Sequence, residues 1–292
     1  ASLNHEVTPT VEVCVRATDS ASPGLSLDEA FTITVADVND APTTAPDEYL
    51  GAVGNTMFAL NLPGTPAPRV AVTGAVLTAN DLDEDGDTLT PVAETVASTG
   101  GGTAYIDAAG NFTFLPGVGD KGQTDSFAYT VTDGAALATG TVTVTIGATV
   151  VWWVDNASSS ASPDGRSTSP LTSTQALNGP DATDVDSSGD HIFVFTGTAT
   201  YQGGLRLEPN QTVLSSRTGI TVGPDALVAP GATSPVLTNA AGNGIDLASG
   251  TSVSGIDVSG ASGDGVNGAG ISTTSVGSEV PMTISGSVGD GV

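Results

Sequence analysis

Apolar and polar residues alternate along several stretches of the first half of the chain. The clearest are residues 11–15, 31–35, 126–131 and 141–146, where an apolar or aromatic residue occupies every second position. Alternation with period two predicts β-strands that bury one face. The 38 glycines and 17 prolines divide the chain into short segments, and no stretch has the pattern of a long helix. The pattern therefore predicts an all-β protein.

The pattern changes from about residue 150 onward. Gly219-Ile220, Gly244-Ile245, Gly265-Val266 and Gly291-Val292 recur at spacings of 25, 21 and 26 residues, with short apolar segments between them. A period in the low twenties with several brief strands per repeat is typical of a β-solenoid. In such a fold each coil stacks its inward Val, Ile and Leu side chains on the next coil.

Length and charge restrict the domain number and the partners. A chain of 292 residues allows two or three domains. Thirty-two acidic residues against six basic ones give a formal charge of -26. Such a charge repels nucleic acid and anionic membrane surfaces, so we expect neither as a partner. Because 38% of the residues are hydrophobic, folded β-structure is a better interpretation than disorder.

The single cysteine, Cys14, lies among valines, and we expect it to be a small buried residue of a strand. No disulfide can form within the chain, so stability outside a cell would come from packing or metal. The sequence contains no signal peptide and no apolar run long enough to span a bilayer. Its pattern looks unfinished at both ends, and we expect a piece of a larger exported protein.

The run Asp81-Leu82-Asp83-Glu84-Asp85-Gly86-Asp87 places five carboxylates around one glycine. Like charges about 6 Å apart in water repel by roughly 0.7 kcal/mol per pair, so a folded loop requires a compensating cation. Oxygen ligands at alternate positions suit Ca²⁺. An EF-hand loop would need a bidentate Glu where Val92 stands, and flanking helices are absent from the pattern. We therefore expect a calcium site of another kind.

Three short motifs in the first 42 residues resemble the calcium motifs of a cadherin repeat, in the same order. They are Leu3-Asn4-His5-Glu6, Ala17-Thr18-Asp19 and Asp37-Val38-Asn39-Asp40. The resemblance implies that Glu6, Asn39 and Asp40 bind Ca²⁺ at the junction with the next domain, whereas Asp19 would serve the preceding junction. Asn4 stands where the family usually has Asp, which removes one charge and should weaken one ion site.

Residues 43–147 resemble the cadherin-like tandem repeats of giant bacterial surface proteins. Residues 77–87, 110–114 and 125–134 carry the likeness. It implies that Asp83 and Asp85 reach back to the previous domain, that Asp133 closes the same site, and that Asp47-Glu48 supply a further carboxylate. The candidate ligands of the composite site, including acidic neighbours of these positions, are Glu6, Asn39, Asp40, Asp83, Asp85, Asp133, Asp37, Asp81 and Asp87. Together they would hold about two or three Ca²⁺ ions; the alternative is a solvated acidic surface.

The third part of the chain resembles the first coils of pectate-lyase-like right-handed parallel β-helices. The likeness lies in residues 152–156, 164–171, 189–194 and 197–204. The expected fold is all-β: the C-terminal half of a cadherin-like repeat (1–42), a complete cadherin-like or Ig-like sandwich (43–147), and the N-terminal coils of a parallel β-helix (148–292). No calcium motif precedes the third part, so we expect packing to hold the second junction. Trp152 and Trp153 are expected to be buried there.

The β-helix resemblance also raises the question of catalysis. Enzymes of that superfamily act on acidic polysaccharides and need a placed base or grouped carboxylates. Arg206 and Arg217 are the only bases on the coils, and neither has an acidic triplet at one-coil spacing. We expect the following acidic residues to form a solvated loop rather than a metal or catalytic site: Asp181, Asp184, Asp186 and Asp190. The sequence shows no catalytic constellation.

The amino-acid sequence leaves two functions open. The first is a calcium-binding structural and adhesive segment of an exported bacterial surface protein, located outside the cell, with surface proteins or glycans as partners. The alternative is a polysaccharide-binding or polysaccharide-degrading β-helix carried on sandwich spacers. Residues 205–292 contain no aromatic residue for sugar stacking, which favours the first.

Overall fold

The computed structural model describes residues 3–62, 64–66, 68–179, 184–268, 275–276, 282–285 and 287. In these parts of the chain it is all-β and contains no α-helix, only short 3₁₀ turns at Leu77–Ala79 and Gln175–Leu177. The strands of the first two parts are β1 (Thr10–Thr18), β2 (Ser26–Thr34), β3 (Asp47–Gly54), β4 (Met57–Leu60), β5 (Arg69–Val72), β6 (Thr90–Pro91), β7 (Glu94–Ala97), β8 (Thr103–Ile106), β9 (Phe112–Leu115), β10 (Thr124–Thr132) and β11 (Leu137–Val154).

The strands that follow are shorter. They are β12 (His191–Val194), β13 (Tyr201–Gln202), β14 (Leu205–Arg206), β15 (Thr212–Ser215), β16 (Ile220–Val222), β17 (Asp225–Val228), β18 (Val236–Thr238), β19 (Ile245–Asp246), β20 (Ser252–Val253), β21 (Asp257–Ser259), β22 (Val266–Asn267), β23 (Ser275–Val276) and β24 (Ile284–Ser285). Within the described ranges no helix is long and apolar enough to cross a bilayer.

The first part is a two-stranded antiparallel hairpin, β1–β2, with Val13 opposite Phe31. These two side chains share one face of the ribbon and remain 37% and 51% exposed, because no second sheet packs on them in the described structure. The prediction that Cys14 is buried is wrong: Cys14 is exposed. It points to the opposite face from Val13, and a single ribbon buries neither face.

The second part is a sandwich of two sheets. One sheet contains β6, β10, β11 and β3 in that order, and the other contains β5, β4, β9, β8 and β7. Alternation on β9 and β10 turns Phe112, Phe114, Phe127 and Tyr129 into the space between the sheets, where all four are buried. Phe127 lies 5.3 Å from Phe112 and 5.9 Å from Phe114 between ring centroids. Each such burial contributes roughly 1.5–3 kcal/mol, so this aromatic layer is a main source of stability.

Strand β11 is 18 residues long and belongs to both the second and the third part. Its first half pairs antiparallel with β10, while Val151 to Val154 pair parallel with β12. The predicted domain boundary at 147/148 therefore falls inside a continuous strand. Trp152 and Trp153 are both buried, as predicted, and Trp153 Nε1 donates to Thr56 Oγ1 of the sandwich at 3.2 Å. Packing thus holds this junction.

After residue 150 the strands pair in three parallel sheets. Their orders are β11-β12-β15-β20-β23, β13-β18-β21-β24 and β14-β19-β22. In the first sheet Trp152, Ile192, Val213 and Val253 are successive partners in register, and all are buried. The 21-residue step of the glycine repeat corresponds to the pairing of β19 with β22. The last copy of the repeat, 289–292, lies outside the described residues.

A hairpin interrupts this parallel arrangement. Strands β16 and β17 pair antiparallel with each other, and β17 packs near β5 of the sandwich. Ile220 and Leu227 of the hairpin are buried in the same apolar cluster as Val53 and Val70 of the sandwich. The second junction therefore has a second apolar contact besides β11.

Candidate metal centre

The acidic loop 81–87 is held against the linker that follows the hairpin. Thr43 and Leu82 form an antiparallel bridge, with Thr43 N donating to Leu82 O at 2.7 Å and Leu82 N to Thr43 O at 2.9 Å. This bridge fixes the loop beside the chain segment that contains Asp40. The sequence-based expectation that these two acidic segments meet therefore agrees with the geometry.

Within the loop, the backbone wraps around one carboxylate. Asp83 Oδ1 accepts hydrogen bonds from the N–H groups of Asp85 and Asp87, both at 3.1 Å. Gly86 has φ of 79°, a left-handed conformation that glycine adopts without a steric penalty. Asp83, Asp85 and Asp87 each place one carboxylate oxygen within 4.8 Å of the others. The turn thus gathers three negative charges at one point.

A second acidic group crosses the junction. Glu6 and Asp40 come from the N-terminal side of the linker, and Asp85 comes from the sandwich; one carboxylate oxygen of each lies within 4.8 Å of the others. The backbone N–H of Asp40 also donates to Asp85 Oδ2 at 2.7 Å. Asp85 is therefore common to both acidic groups.

The electrostatics of these groups indicate crowded negative charge. Partial desolvation and then the charges of Glu84, Asp85 and neighbouring aspartates raise the pKa of Asp40. A backbone hydrogen bond at Glu6 opposes the shift there, but desolvation and Asp37 raise the pKa of Glu6. Each proton would be held more tightly than in an isolated carboxyl. A bound cation would relieve the same repulsion.

Two carboxylate oxygens at the centre of the cluster have no hydrogen-bond partner. Asp83 Oδ2 and Asp85 Oδ1 are inaccessible to solvent and accept no hydrogen bond in the described structure. A buried carboxylate oxygen without a donor is costly. Oxygen ligands from several carboxylates match the preference of Ca²⁺, so these residues fit a calcium ion.

Asn39 and Asp133 meet each other at the edge of the site. Asn39 Nδ2 donates to Asp133 Oδ2 at 3.0 Å, while the N–H groups of Ala135 and Ala136 donate to Asp133 Oδ1. The Ala136 N–H, Asn39 and the Ala135 N–H together hold the pKa of Asp133 below its usual range. Asp133 is thus ionised and oriented by the protein toward the linker.

Asp81 has a different position from the other acids of the run. It is 8% exposed and accepts hydrogen bonds from Tyr129 Oη at 2.8 Å and from Ala45 N at 2.9 Å. Asp81 is therefore an internal anchor of the loop and belongs to neither acidic group. Gly140, opposite Tyr129 in the ladder, makes room for this contact, since a Cβ there would lie 2.2 Å from the tyrosine ring.

Three further acidic residues lie outside the two acidic groups. Asp37 lies beside Glu6 but is not a member of either group. Asp47, expected to lie near the linker site, is buried; burial, with the charge of Asp81 in addition, raises its pKa to about 6. Glu84 was missed as a site residue, although it accepts a hydrogen bond from Asn4 Nδ2 at 3.1 Å across the junction. Its place inside the acidic run was the only available signal.

The prediction that the acidic loop before β12 is solvated is wrong for Asp186 and Asp190. Asp186 and Asp190 are 2% and 3% exposed, and Asp181 lies outside the described residues. Asp190 pairs with Lys121 of the sandwich and accepts a hydrogen bond from Trp152 Nε1 at 3.0 Å. Burial raises the pKa of Asp186 to about 7, opposed by its hydrogen bond from Gln211 and assisted by the charges of Asp184 and Asp190. Residues distant in sequence create this burial, so the local pattern did not reveal it.

Comparison with known proteins supports the assignment of the second part. Residues 39–148 match the family model described as bacterial cadherin-like domain. Among solved structures, the chain is similar to the extracellular cadherin domains 3–6 of protocadherin gamma B2, with a TM-score of 0.30 and 16% identity over 54% of this chain and 42% of that one. The chain thus spans less than half of that structure. No curated protein matches the chain. Residues 39–148, which contain the linker and the acidic loop, are similar to bacterial cadherin-like domains.

Proposed function

We propose that this chain is a calcium-binding structural and adhesive segment of a large exported bacterial surface protein. Its role would be to hold successive β-domains at a fixed angle outside the cell. The observation that carries the proposal is the position of Asp85. It joins Glu6 and Asp40 in one acidic group and Asp83 and Asp87 in another, across the first junction. Without a cation the carboxylates on the two sides of the junction repel one another. A bound cation would be held by carboxylates from both sides.

The residues present define how Ca²⁺ would be held. Glu6, Asp40 and Asp85 would bind one ion, and Asp83, Asp85 and Asp87 a second. Asn39 and Asp133, which are already joined by a hydrogen bond, would supply oxygens at the rim. Bound Ca²⁺ would neutralise these carboxylates and fix the hairpin relative to the sandwich. The loop geometry, by contrast, is set by the chain itself through the Thr43–Leu82 bridge.

We also propose that the third part forms the first coils of a right-handed parallel β-helix. Support comes from the three ladders of parallel pairs and from the aligned apolar residues in each, such as Tyr201, Leu237 and Val258 in the second ladder. These coils would present a surface to other surface proteins or to glycans. We propose no enzymatic role, because Arg217, one of the two coil bases, donates to the carbonyls of Gly231 and Ala232.

Calcium titration by calorimetry on the full chain tests the proposal. Asp40→Ala and Asp83→Ala should each lower the number or affinity of bound ions. Glu12→Gln removes one charge from an exposed position of β1 and serves as the matched control. Small-angle scattering with and without EDTA should show a looser first junction after chelation, with both sheets of the sandwich intact by circular dichroism. Identical scattering curves, or unchanged calcium binding in both variants, would contradict the proposal.

A further inference from the structure

A second buried acidic site lies at the junction between the sandwich and the parallel sheets. The loop that ends at Asp190 is fixed from three sides. Val185 N donates to Ala176 O at 3.3 Å, and Gln211, which is fully buried, donates from Nε2 to Asp186 Oδ2 at 2.7 Å. Asp190 contacts Lys121 and Trp152, as described above. These hydrogen bonds therefore fix the loop at the junction.

Two acids of this loop contain buried oxygens that nothing in the described structure satisfies. Both carboxylate oxygens of Asp184 and the Oδ1 atom of Asp186 are inaccessible to solvent and have no hydrogen-bond partner. Asp186 is 2% exposed, whereas Val185 between them is 44% exposed. The two aspartates thus turn inward together while the intervening side chain points to solvent. A carboxylate taken out of water without donors is destabilising.

No side chain in the described structure supplies the missing positive charge. All six basic residues of the chain lie within the described ranges. Of these, Lys121 pairs with Asp190, and the other salt bridges join Arg16 to Asp28 and Arg166 to Asp164. Asp184 and Asp186 therefore have no cationic partner. A bound cation would supply the balancing charge.

We propose that Asp184 and Asp186 bind a divalent cation, Ca²⁺ by its ligand chemistry, at this second junction. Two carboxylates separated by one residue offer hard oxygen atoms, and backbone carbonyls and water would complete the six to eight ligands that Ca²⁺ takes. With two charged ligands we expect weak binding, with a Kd of roughly 10⁻⁴–10⁻³ M. The site is separate from the one at the first junction and uses none of its residues.

Terbium luminescence tests this site selectively, because Tb³⁺ occupies oxygen-rich calcium sites and is sensitised by nearby indole rings. The chain contains two tryptophans, Trp152 and Trp153, and Trp152 is hydrogen-bonded to Asp190 in the same loop. Excitation at a wavelength absorbed by tryptophan but not tyrosine should give saturable Tb³⁺ emission in the full chain. Excess Ca²⁺ should abolish that emission by competition.

Matched variants separate the two sites. Asp184→Asn with Asp186→Asn should remove the tryptophan-sensitised emission, whereas Asp83→Asn with Asp85→Asn should retain it. Emission that persists in the first pair, or is lost in the second pair alone, overturns the proposal. Absence of emission in the unmodified chain also overturns it.

A second measurement does not depend on whether the loop variant folds. In the Asp83→Asn, Asp85→Asn background, Ca²⁺ should still raise the Tm of the unfolding transition followed by tryptophan fluorescence. Mg²⁺ at the same concentration should raise it less, because Mg²⁺ loses its water reluctantly. A Tm independent of Ca²⁺ in this background refutes the second site and leaves the proposal for the first junction untouched.

Discussion

Replacing Asp85 by Asn separates the cost of crowding charge from the gain of binding a cation. Asparagine has the same shape, and its amide oxygen can still accept the hydrogen bond from Asp40 N. The substitution removes the one charge common to both acidic groups. Its effect should therefore have opposite signs with and without Ca²⁺.

The magnitude follows from the distances. At 4.8 Å, the limit within which the oxygens of Asp83, Asp85 and Asp87 lie, two charges in water repel by about 0.9 kcal/mol. Asp85→Asn removes two such pairs from this loop, so the calcium-free chain should become more stable by up to about 2 kcal/mol. Because Asp85 would be a ligand of both ions, its loss should lower the affinity for each at least tenfold, a total of at least about 2.8 kcal/mol, and this loss exceeds the gain when Ca²⁺ is saturating.

Thermal unfolding in EDTA and in Ca²⁺, combined with calorimetric titration, measures both effects. Glu12→Gln again controls for a change in net charge, since it should alter neither quantity. If Asp85→Asn changed Tm in the same direction under both conditions, or bound Ca²⁺ as tightly as the unmodified chain, the reasoning about a shared ligand would fail.

Three further substitutions probe buried polar groups. Tyr129→Phe removes a donor to buried Asp81 and should destabilise the sandwich by about 1–3 kcal/mol in urea unfolding; an unchanged midpoint would mean that Asp81 finds another donor. Asp47 has a pKa of about 6 in the fold against 3.8 for the free group, so its stabilising contribution is complete below about pH 4 and is lost as the pH rises through 6. Asp47→Asn should therefore stabilise the sandwich near pH 8, by at most about 3 kcal/mol, and not near pH 4, as measured by unfolding across pH; equal effects at both values would contradict this. Lys121→Met leaves buried Asp190 without its cation and should destabilise the unfolding transition reported by tryptophan fluorescence. The expected loss is only about 2 kcal/mol, since the Lys121 side chain is 37% exposed and solvent weakens the pair. A transition at the original midpoint would exclude this role.

Local patterns were sufficient to predict the strands, whereas the meeting of the acidic segments was implied by a family resemblance. Alternation at 126–131 predicted a strand, and in the structure its Phe127, Tyr129 and Val131 are buried in the sandwich. The resemblance to cadherin-like repeats implied that the loop at Asp85 would face Asp40, and the backbone N–H of Asp40 does donate to Asp85 Oδ2. The first inference depends on alternation within one strand, and the second depends on short motifs that resemble those of cadherin-like repeats.

Features created by distant partners were not predictable in the same way. Asp81 looked like the other acids of its run, but Tyr129, 48 residues later, draws it into the sandwich. Asp186 looked solvated, but it is buried and accepts a hydrogen bond from Gln211, which directly precedes β15. Cys14 followed the pattern of a buried strand, yet the strand has no facing sheet in the described structure. In each case burial depends on which element packs opposite, and alternation does not specify that element.

The unbroken path of β11 has a mechanical consequence for a molecule that is pulled from its ends. At about 3.3 Å per residue, the 18 residues of β11 span roughly 60 Å, from the sandwich at one end to the parallel sheets at the other. Tension along the chain would load hydrogen bonds on both sides of β11 in shear, and its register with β3 shifts between Thr145 and Val150. The first junction, by contrast, would yield or stiffen with the ionic composition of the medium. Bending of the molecule should therefore be concentrated near Asp40 and be adjustable there, whereas the far joint keeps its shape under load.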